Sequence, residues 1–298
     1  MQKVYSHGIL YSKKKPTGGN TMDAIRHSYS RNRDQIYAHT TAYLPLSTGH
    51  FPLHTHEYWE LLLFKSGAAS YIAEGRSYTL QKNSLVITRP ACIHAIRIES
   101  DEPYERYNLL FDPERLLPEL NAAIPKNLDV LHLGSSHPIV NLFQKMDLYF
   151  QQLSEPEFNR VLSLLVEEVF FGIRLAADQS PEQGSVSSNP LIQQAISYIE
   201  EHITTLANIE EICNALFITK SHLHHLFIRH MQITPKKYII SKRLSLAQRA
   251  LRSGAKPTEV YLEYGFSNYA TFYRDYKRFY GHCPSDEMFL PDTREILS

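Results

Sequence analysis

The residues best suited to chemistry lie in HTHEYWE, positions 54–60, which sets two imidazoles and a carboxylate, His54, His56 and Glu60, at alternate positions. Successive side chains of an extended strand leave opposite faces, so these three would share one face and converge. Imidazole with carboxylate can ligate a transition metal or pair the hydroxyls of an organic ligand. A second chemistry is electrostatic. From Ile212 to Thr258 there is no Asp or Glu, yet the window holds nine basic side chains, Lys220, Arg229, Lys236, Lys237, Lys242, Arg243, Arg249, Arg252 and Lys256, and four histidines. Surfaces that meet only water usually mix signs to gain pairing between residues four apart, so one sign over this length points to a polyanion. The formal net charge of the chain is +0, so such a site is local.

Elements of two kinds must position these groups. Residues 37–111 run as short apolar or alternating segments, ELLLF, SYIA, SYTL, SLVIT, AIRI and RYNLLF, divided by Gly, Asn, Pro and charged turns. That pattern predicts a β-sandwich or barrel over 35–135. Over 136–178 the apolar spacing becomes three and four, through Leu142, Phe143, Met146, Tyr149, Phe150 and Leu153, then Val161, Leu162, Leu165, Val169 and Phe170, which predicts two packed helices. Trp59 has the opposite strand parity from the histidines and should face the other side of the sheet, toward those helices. Residues 1–34, with KKKPTGGN inside them, predict a flexible arm, with Met22 as an alternative start, and 179–190 a linker. Residues 191–298 predict an all-helical domain.

That last domain contains a repeat. Laying IEEICNALFITKSHLHHLF over TEVYLEYGFSNYATFYRDY aligns Ile212 with Val260, Ile218 with Phe266, Leu223 with Phe272 and Phe227 with Tyr276. Each copy reads as helix, short turn, helix, with Thr219 capping the second helix of the first copy and Ser267 or Asn268 that of the second. Thr234-Pro235 opens a connecting helix that Gly254 ends. Eighteen or so helical residues span about 27 Å, close to the roughly 34 Å between successive major grooves on one face of DNA. Two helical hairpins joined this way would also bury a core of their own, which is the purely structural alternative.

Within SHLHHLFIRH, Leu223, Leu226 and Phe227 define a core face and leave Lys220, Ser221, His224, His225 and Arg229 for the groove. In the second copy Phe272, Tyr276 and Phe279 should pack inward while Tyr269, Ala270, Thr271, Tyr273, Arg274 and Lys277 face out. Arg274 is the best placed for a bidentate contact with guanine, and Lys236, Lys237 and Lys242 for phosphates. His222 and His225, one helical turn apart, pose the rival of a zinc site, but no nearby Cys or acid completes it.

AISYIEEH, ITKSHLHHLF, PKKYIISKRLSLAQRAL and YGFSNYATFYRDYKRFYGHCP together resemble the DNA-binding domain of the AraC/XylS transcription regulators over roughly residues 191–289. The resemblance implies two helix-turn-helix units on double-stranded DNA, a homodimer and contact with RNA polymerase. Gln232 stands where such sequences usually carry Gly, Asp275 at a normally aliphatic position and Cys283 for a common Thr. The N-terminal block resembles the family's cupin-like sensor through Gly49, His54, His56, Glu60, Gly67, Pro90 and His94. In cupin enzymes His54, His56, Glu60 and His94 would hold Fe, Mn, Ni or Zn. Regulators of this layout commonly keep those residues and bind an effector, and Asn83 stands where the metal cupins have Gly. The expectation is therefore an organic effector on these four residues, a sugar first, with neither metal nor cofactor. A metal-dependent cupin enzyme with a DNA-binding appendage, and a polar core that binds nothing, stay open.

Composition agrees with an ordinary soluble chain, with no apolar run long enough for a membrane span or signal peptide. Cys92, Cys213 and Cys283 form no CxxC pair and fit reduced thiols in the cytoplasm. The expected architecture is α+β and multidomain: a cupin-like β-barrel with a helical dimerisation segment, then an all-α double helix-turn-helix.

Overall fold

The computed structural model describes residues 25–31, 35–42, 53–179 and 186–287. The arm up to residue 24, Gly49, residues 180–185 of the expected linker and the last residues from 288 lie outside the described residues.

Described strands are β1 (Ile25–Arg31), β2 (Gln35–Ala42), β3 (Trp59–Ser66), β4 (Ala69–Ala73), β5 (Arg76–Thr79), β6 (Ser84–Thr88), β7 (His94–Ile98), β8 (Tyr104–Phe111), β9 (Val130–His132) and β10 (Val186–Ser188). They form a six-stranded sheet, β1-β2-β8-β3-β6-β9, and a four-stranded one, β10-β5-β4-β7. Strand alternation decides what each face meets. Leu62, Phe64, Val86 and Tyr104 pack with Tyr71, Tyr78 and Ile96 in the core between the sheets. Trp59, Leu61, Leu63, Tyr107 and Leu109 leave the other face and pack on the helices α1 (Pro118–Ala123), α2 (Pro138–Gln152) and α3 (Glu155–Gln179). Trp59 lies edge-on to Phe170 at 5.4 Å, and its indole N–H donates to Asn121 at 3.0 Å, as its parity predicted.

The C-terminal half is helical: α4 (Pro190–Glu201), α5 (Ile209–Leu216), α6 (Lys220–Met231), α7 (Pro235–Arg252), α8 (Pro257–Glu263) and α9 (Tyr269–Tyr280). Units α5–α6 and α8–α9 are the two predicted hairpins and α7 the rod between them. Thr219 and Thr234 accept hydrogen bonds from the backbone N–H of His222 and Lys237, and Asn268, not Ser267, caps α9 through Thr271. Gly265, at φ +75°, closes the α8–α9 turn where a Cβ would meet the Thr204 carbonyl at 2.5 Å.

Several expectations change. Residues 25–31 of the expected arm are β1, paired along its length with β2. Residues 186–188 of the expected linker are β10, paired with β5, because the chain crosses an open sheet edge whose backbone groups need partners. Phe279 is 37% exposed, whereas Phe272 and Tyr276 are fully buried. Asp275 lies largely covered, 3.9 Å from Arg278.

Candidate effector site and nucleic-acid interface

His54, His56, Glu60 and His94 do converge, but not as a single strand. Only Glu60 lies in β3; residues 55–58 loop, and His54 is held by reciprocal backbone hydrogen bonds with His94 at the start of β7, both 2.9 Å. The cluster thus bridges the two sheets. One ligand atom from each residue lies within 4.8 Å of the others, the single such grouping among the described residues. His222 and His225 on α6 are exposed and join no metal-like grouping there.

Hydrogen bonding orients the imidazoles. The Nδ1–H of His56 donates to the Tyr58 carbonyl at 3.1 Å and that of His94 to the Cys92 carbonyl at 3.0 Å. A carbonyl only accepts, so each Nδ1 carries the proton and each Nε2 turns inward. Both Nε2 atoms meet the same Glu60 oxygen, at 3.0 and 2.9 Å. Burial works to raise the Glu60 pKa, but the hydrogen bonds and charge of His56 and His94 hold it well below the carboxylate range. An ionised, buried carboxylate draws positive charge toward those inward nitrogens, as shared protons or as a bound cation.

Sequence reasoning missed the polar groups around the cluster. Thr88 stands opposite Glu60 in the register, and its hydroxyl lies 2.8 Å from that of Tyr71. The Tyr71 ring is 6.1 Å from His94. Asn108, opposite Leu62, shares the parity of the inner face, and its Oδ1 is buried without a hydrogen-bond partner, as is the Thr55 hydroxyl. An amide inside the otherwise apolar YNLLF run was the available signal.

The helical half shows which basic residues can meet a polyanion. Ser221, His224, His225, Arg229, Lys236, Lys237, Ala270, Arg274 and Lys277 are exposed; Tyr269 and Thr271 are half-buried, with Tyr269 packed edge-on to Tyr261. Lys220 is exposed and ion-paired with Glu210 across the α5–α6 turn. Three basic residues of α7 face inward: Arg252, which pairs with Glu287 at 3.2 Å, Arg243 and Lys242. Arg243 donates from Nε to the Ile203 carbonyl at 2.7 Å and from a terminal nitrogen to Gly265 at 2.6 Å, tying the hairpins together. Lys242, expected on a phosphate, is largely covered, 2.7 Å from Glu74 of the sensor and 3.0 Å from Glu200 of α4. The sensor covers that face of α7, so this expectation is withdrawn.

Among the described residues no helix is long and apolar enough to cross a membrane. Comparison with known proteins matches an AraC-like ligand binding domain at residues 40–170 and a helix-turn-helix domain at 212–288. The chain is 24% identical over 245 residues to the HTH-type transcriptional activator RhaS of Escherichia coli, covering 79% of this chain and 87% of that protein. It is 28% identical over 120 residues to the XylDLEGF operon transcriptional activator 2 of Pseudomonas putida, covering 39% of this chain and 76% of that one. Over 95 residues it is 33% identical to the probable transcriptional regulator LumQ of Photobacterium leiognathi, a match spanning 32% of this chain and only 38% of LumQ. The matches describe a ligand binding domain followed by a helix-turn-helix domain, in the order in which the two-sheet half and the helical half stand in this structure, and the chain belongs to the AraC family of DNA-binding transcription regulators.

Proposed function

We propose that the sensor binds a polyhydroxylated effector, a sugar, at His54, His56, Glu60 and His94, and that the protein thereby controls genes for using that carbohydrate. The observation that carries this reading is the pair of buried, unpartnered acceptors, Asn108 Oδ1 and the Thr55 hydroxyl, within the domain that holds the cluster. Buried polar atoms without partners are costly, and ligand hydroxyls would satisfy them.

On the DNA side, Lys220, Ser221, His224, His225 and Arg229 of α6 enter one major groove, and Tyr269, Ala270, Thr271, Arg274 and Lys277 of α9 the next. Arg274 reads guanine; Lys236 and Lys237 hold phosphates. A homodimer forms through α3, where Leu164, Phe171 and Leu175 make one stripe, 67%, 40% and 54% exposed. RNA polymerase is the protein partner and the cytoplasm the place of action, in keeping with the family.

A second reading has its own observation. Because His56 and His94 spend Nδ1 on backbone carbonyls, they present Nε2 inward in the way that metal-ligating histidines do. A divalent transition metal fits His54, His56, Glu60 and His94 and would be the sensed ligand, supplying a positive charge to the Glu60 carboxylate.

A melting scan of the full chain against mono- and oligosaccharides, with chelator-treated and Zn²⁺- or Mn²⁺-loaded samples alongside, tests both. A ligand at a hundred times its Kd adds about 2.7 kcal/mol, a shift of roughly 5 °C or more. A shift with one sugar supports the first reading; a shift with metal alone replaces it with the second.

A further inference from the structure

The face of α7 turned toward the sensor carries Tyr238, Lys242, Ser245 and Arg252, and each meets a sensor residue. The Tyr238 hydroxyl donates to Glu74, and the Lys242 ammonium lies 2.7 Å from Glu74 and 3.1 Å from the Ala91 carbonyl. Ser245 donates to Glu57, and the Arg252 guanidinium lies over the Tyr58 ring at 5.6 Å. Glu74 is the hub. Its side chain also accepts from the Ile93 N–H at 2.8 Å, and its carbonyl accepts from Gln193 of α4 at 2.8 Å. It sits at φ 45°, next to Gly75 at φ 73°, where a Cβ on Gly75 would press to within 3.1–3.3 Å of Gln193, Ile196 and Ile192. The sensor's β4–β5 turn is therefore shaped to seat α4.

What matters is where these contacts lie along the chain. Leu53 and Ile93, which pack into the core of the first hairpin unit, immediately precede His54 and His94. Glu57 immediately follows His56, and the Ala91 N–H donates to the His56 carbonyl at 2.8 Å. Segments 53–57 and 91–94 are two-sided: one side holds the cluster and the other the DNA-binding half. A shift of backbone in either segment would therefore be felt on both sides.

We infer that occupancy of the His54–His56–Glu60–His94 cluster is transmitted to the hairpin units through segments 53–57 and 91–94, with Glu74–Lys242–Tyr238 as the contact that makes or breaks. The inference rests on the cluster being the effector site, whatever the effector's chemistry. Buried ionic contacts suit such a device because loss of one partner strands the other, so the junction has two discrete states and not a continuum. Both α6 and α9 keep exposed outer faces in the joined state, so the contact sets how the two units sit relative to the sensor and leaves the reading faces open.

A double-mutant cycle on the full chain tests it without any ligand, using as probe a duplex that the protein itself selects from a random-sequence pool. Glu60→Gln perturbs the cluster; Glu74→Gln with Lys242→Met removes both charges of the junction together. Glu60→Gln is expected to change duplex Kd at least fivefold with the junction intact and less than twofold with it removed. Equal effects in both backgrounds, or no effect in either, overturn the inference. Should Glu60→Gln fail to fold, hydrogen exchange carries the test in reverse. Lys242→Met should speed amide exchange at residues 91–96, while Lys236→Met, exposed on the same helix, should not. Equal exchange in both overturns the inference. A positive cycle beside a negative sugar scan would leave the coupling standing and remove only the sugar.

Discussion

The two helix-turn-helix units share a plan and differ in what completes them. The core of the α5–α6 unit includes Ile93 and Leu53, borrowed from the sensor, and packs on α4. The core of the α8–α9 unit, with Leu244, Leu251, Val260, Phe266, Phe272 and Tyr276, includes no sensor residue among the described residues and is closed instead by Glu287, which accepts from Tyr276 at 2.5 Å and pairs with Arg252 at 3.2 Å. Among the described residues the first unit's core takes side chains from the sensor, whereas the second unit shares with it the helix α7, whose Arg252 lies over Tyr58. The difference predicts that loosening the sensor contact disturbs the first unit more than the second.

The largest effect should come from cutting the borrowed side chain. Ile93→Ala, at a site 2% exposed, should cost about 2–5 kcal/mol, and hydrogen exchange should rise in α4–α6 well before α8–α9. Uniform loosening of both units would mean that they form one cooperative body and would break the comparison. Next in size, Arg274→Ala should lose roughly 1–3 kcal/mol of DNA binding and relax preference at one base position. Unchanged affinity and preference in a binding titration against base-substituted duplexes would remove α9 from the groove.

The helix ends offer a smaller, mirror-image test. α6 closes on Gln232 at φ 58° and α9 on Gly281 at φ 80°, with nothing within 4 Å of where a Gly281 Cβ would lie. A left-handed cap disfavours a Cβ, so Gln232→Gly should stabilise by about 0.5–1 kcal/mol and Gly281→Ala destabilise by about the same. Paired melts that moved in the same direction would contradict it. Smallest in specificity, Lys236→Ala should weaken binding to every duplex alike and flatten the slope of log K against log salt by about one. A sequence-dependent loss would place Lys236 on bases.

Much of the architecture was legible because period and punctuation are local properties. The six apolar runs became β3 to β8, the spacing of three and four became α2 and α3, and the caps Thr219 and Thr234 stand where they were expected. Trp59 turned to the helices because parity alone settles which face a strand residue takes. The candidate site was half legible. Its four residues meet, yet alternate spacing implied one continuous strand, whereas residues 55–58 loop and His54 is pinned by its hydrogen bonds with His94. Thr88 and Tyr71 entered the site through strand register, which no local pattern specifies.

Sequence by itself determined the repeat of two hairpins, the acid-free basic stretch, the β-then-α order and the grouping of His54, His56 and Glu60, because each depends on side-chain type and short-range spacing, whereas His94 joined them only through the family resemblance. Only the tertiary structure decided that Lys242 and Arg243 point inward, that residues 25–31 and 186–188 pair as strands, and that Glu57, Glu74 and Ile93 join the sensor to its DNA-binding half. The reason is physical. Which face of a basic helix meets water, and which sheet edge finds a partner, depends on elements more than a hundred residues away, and burial alone distinguishes a lysine that holds DNA from one that holds the protein together.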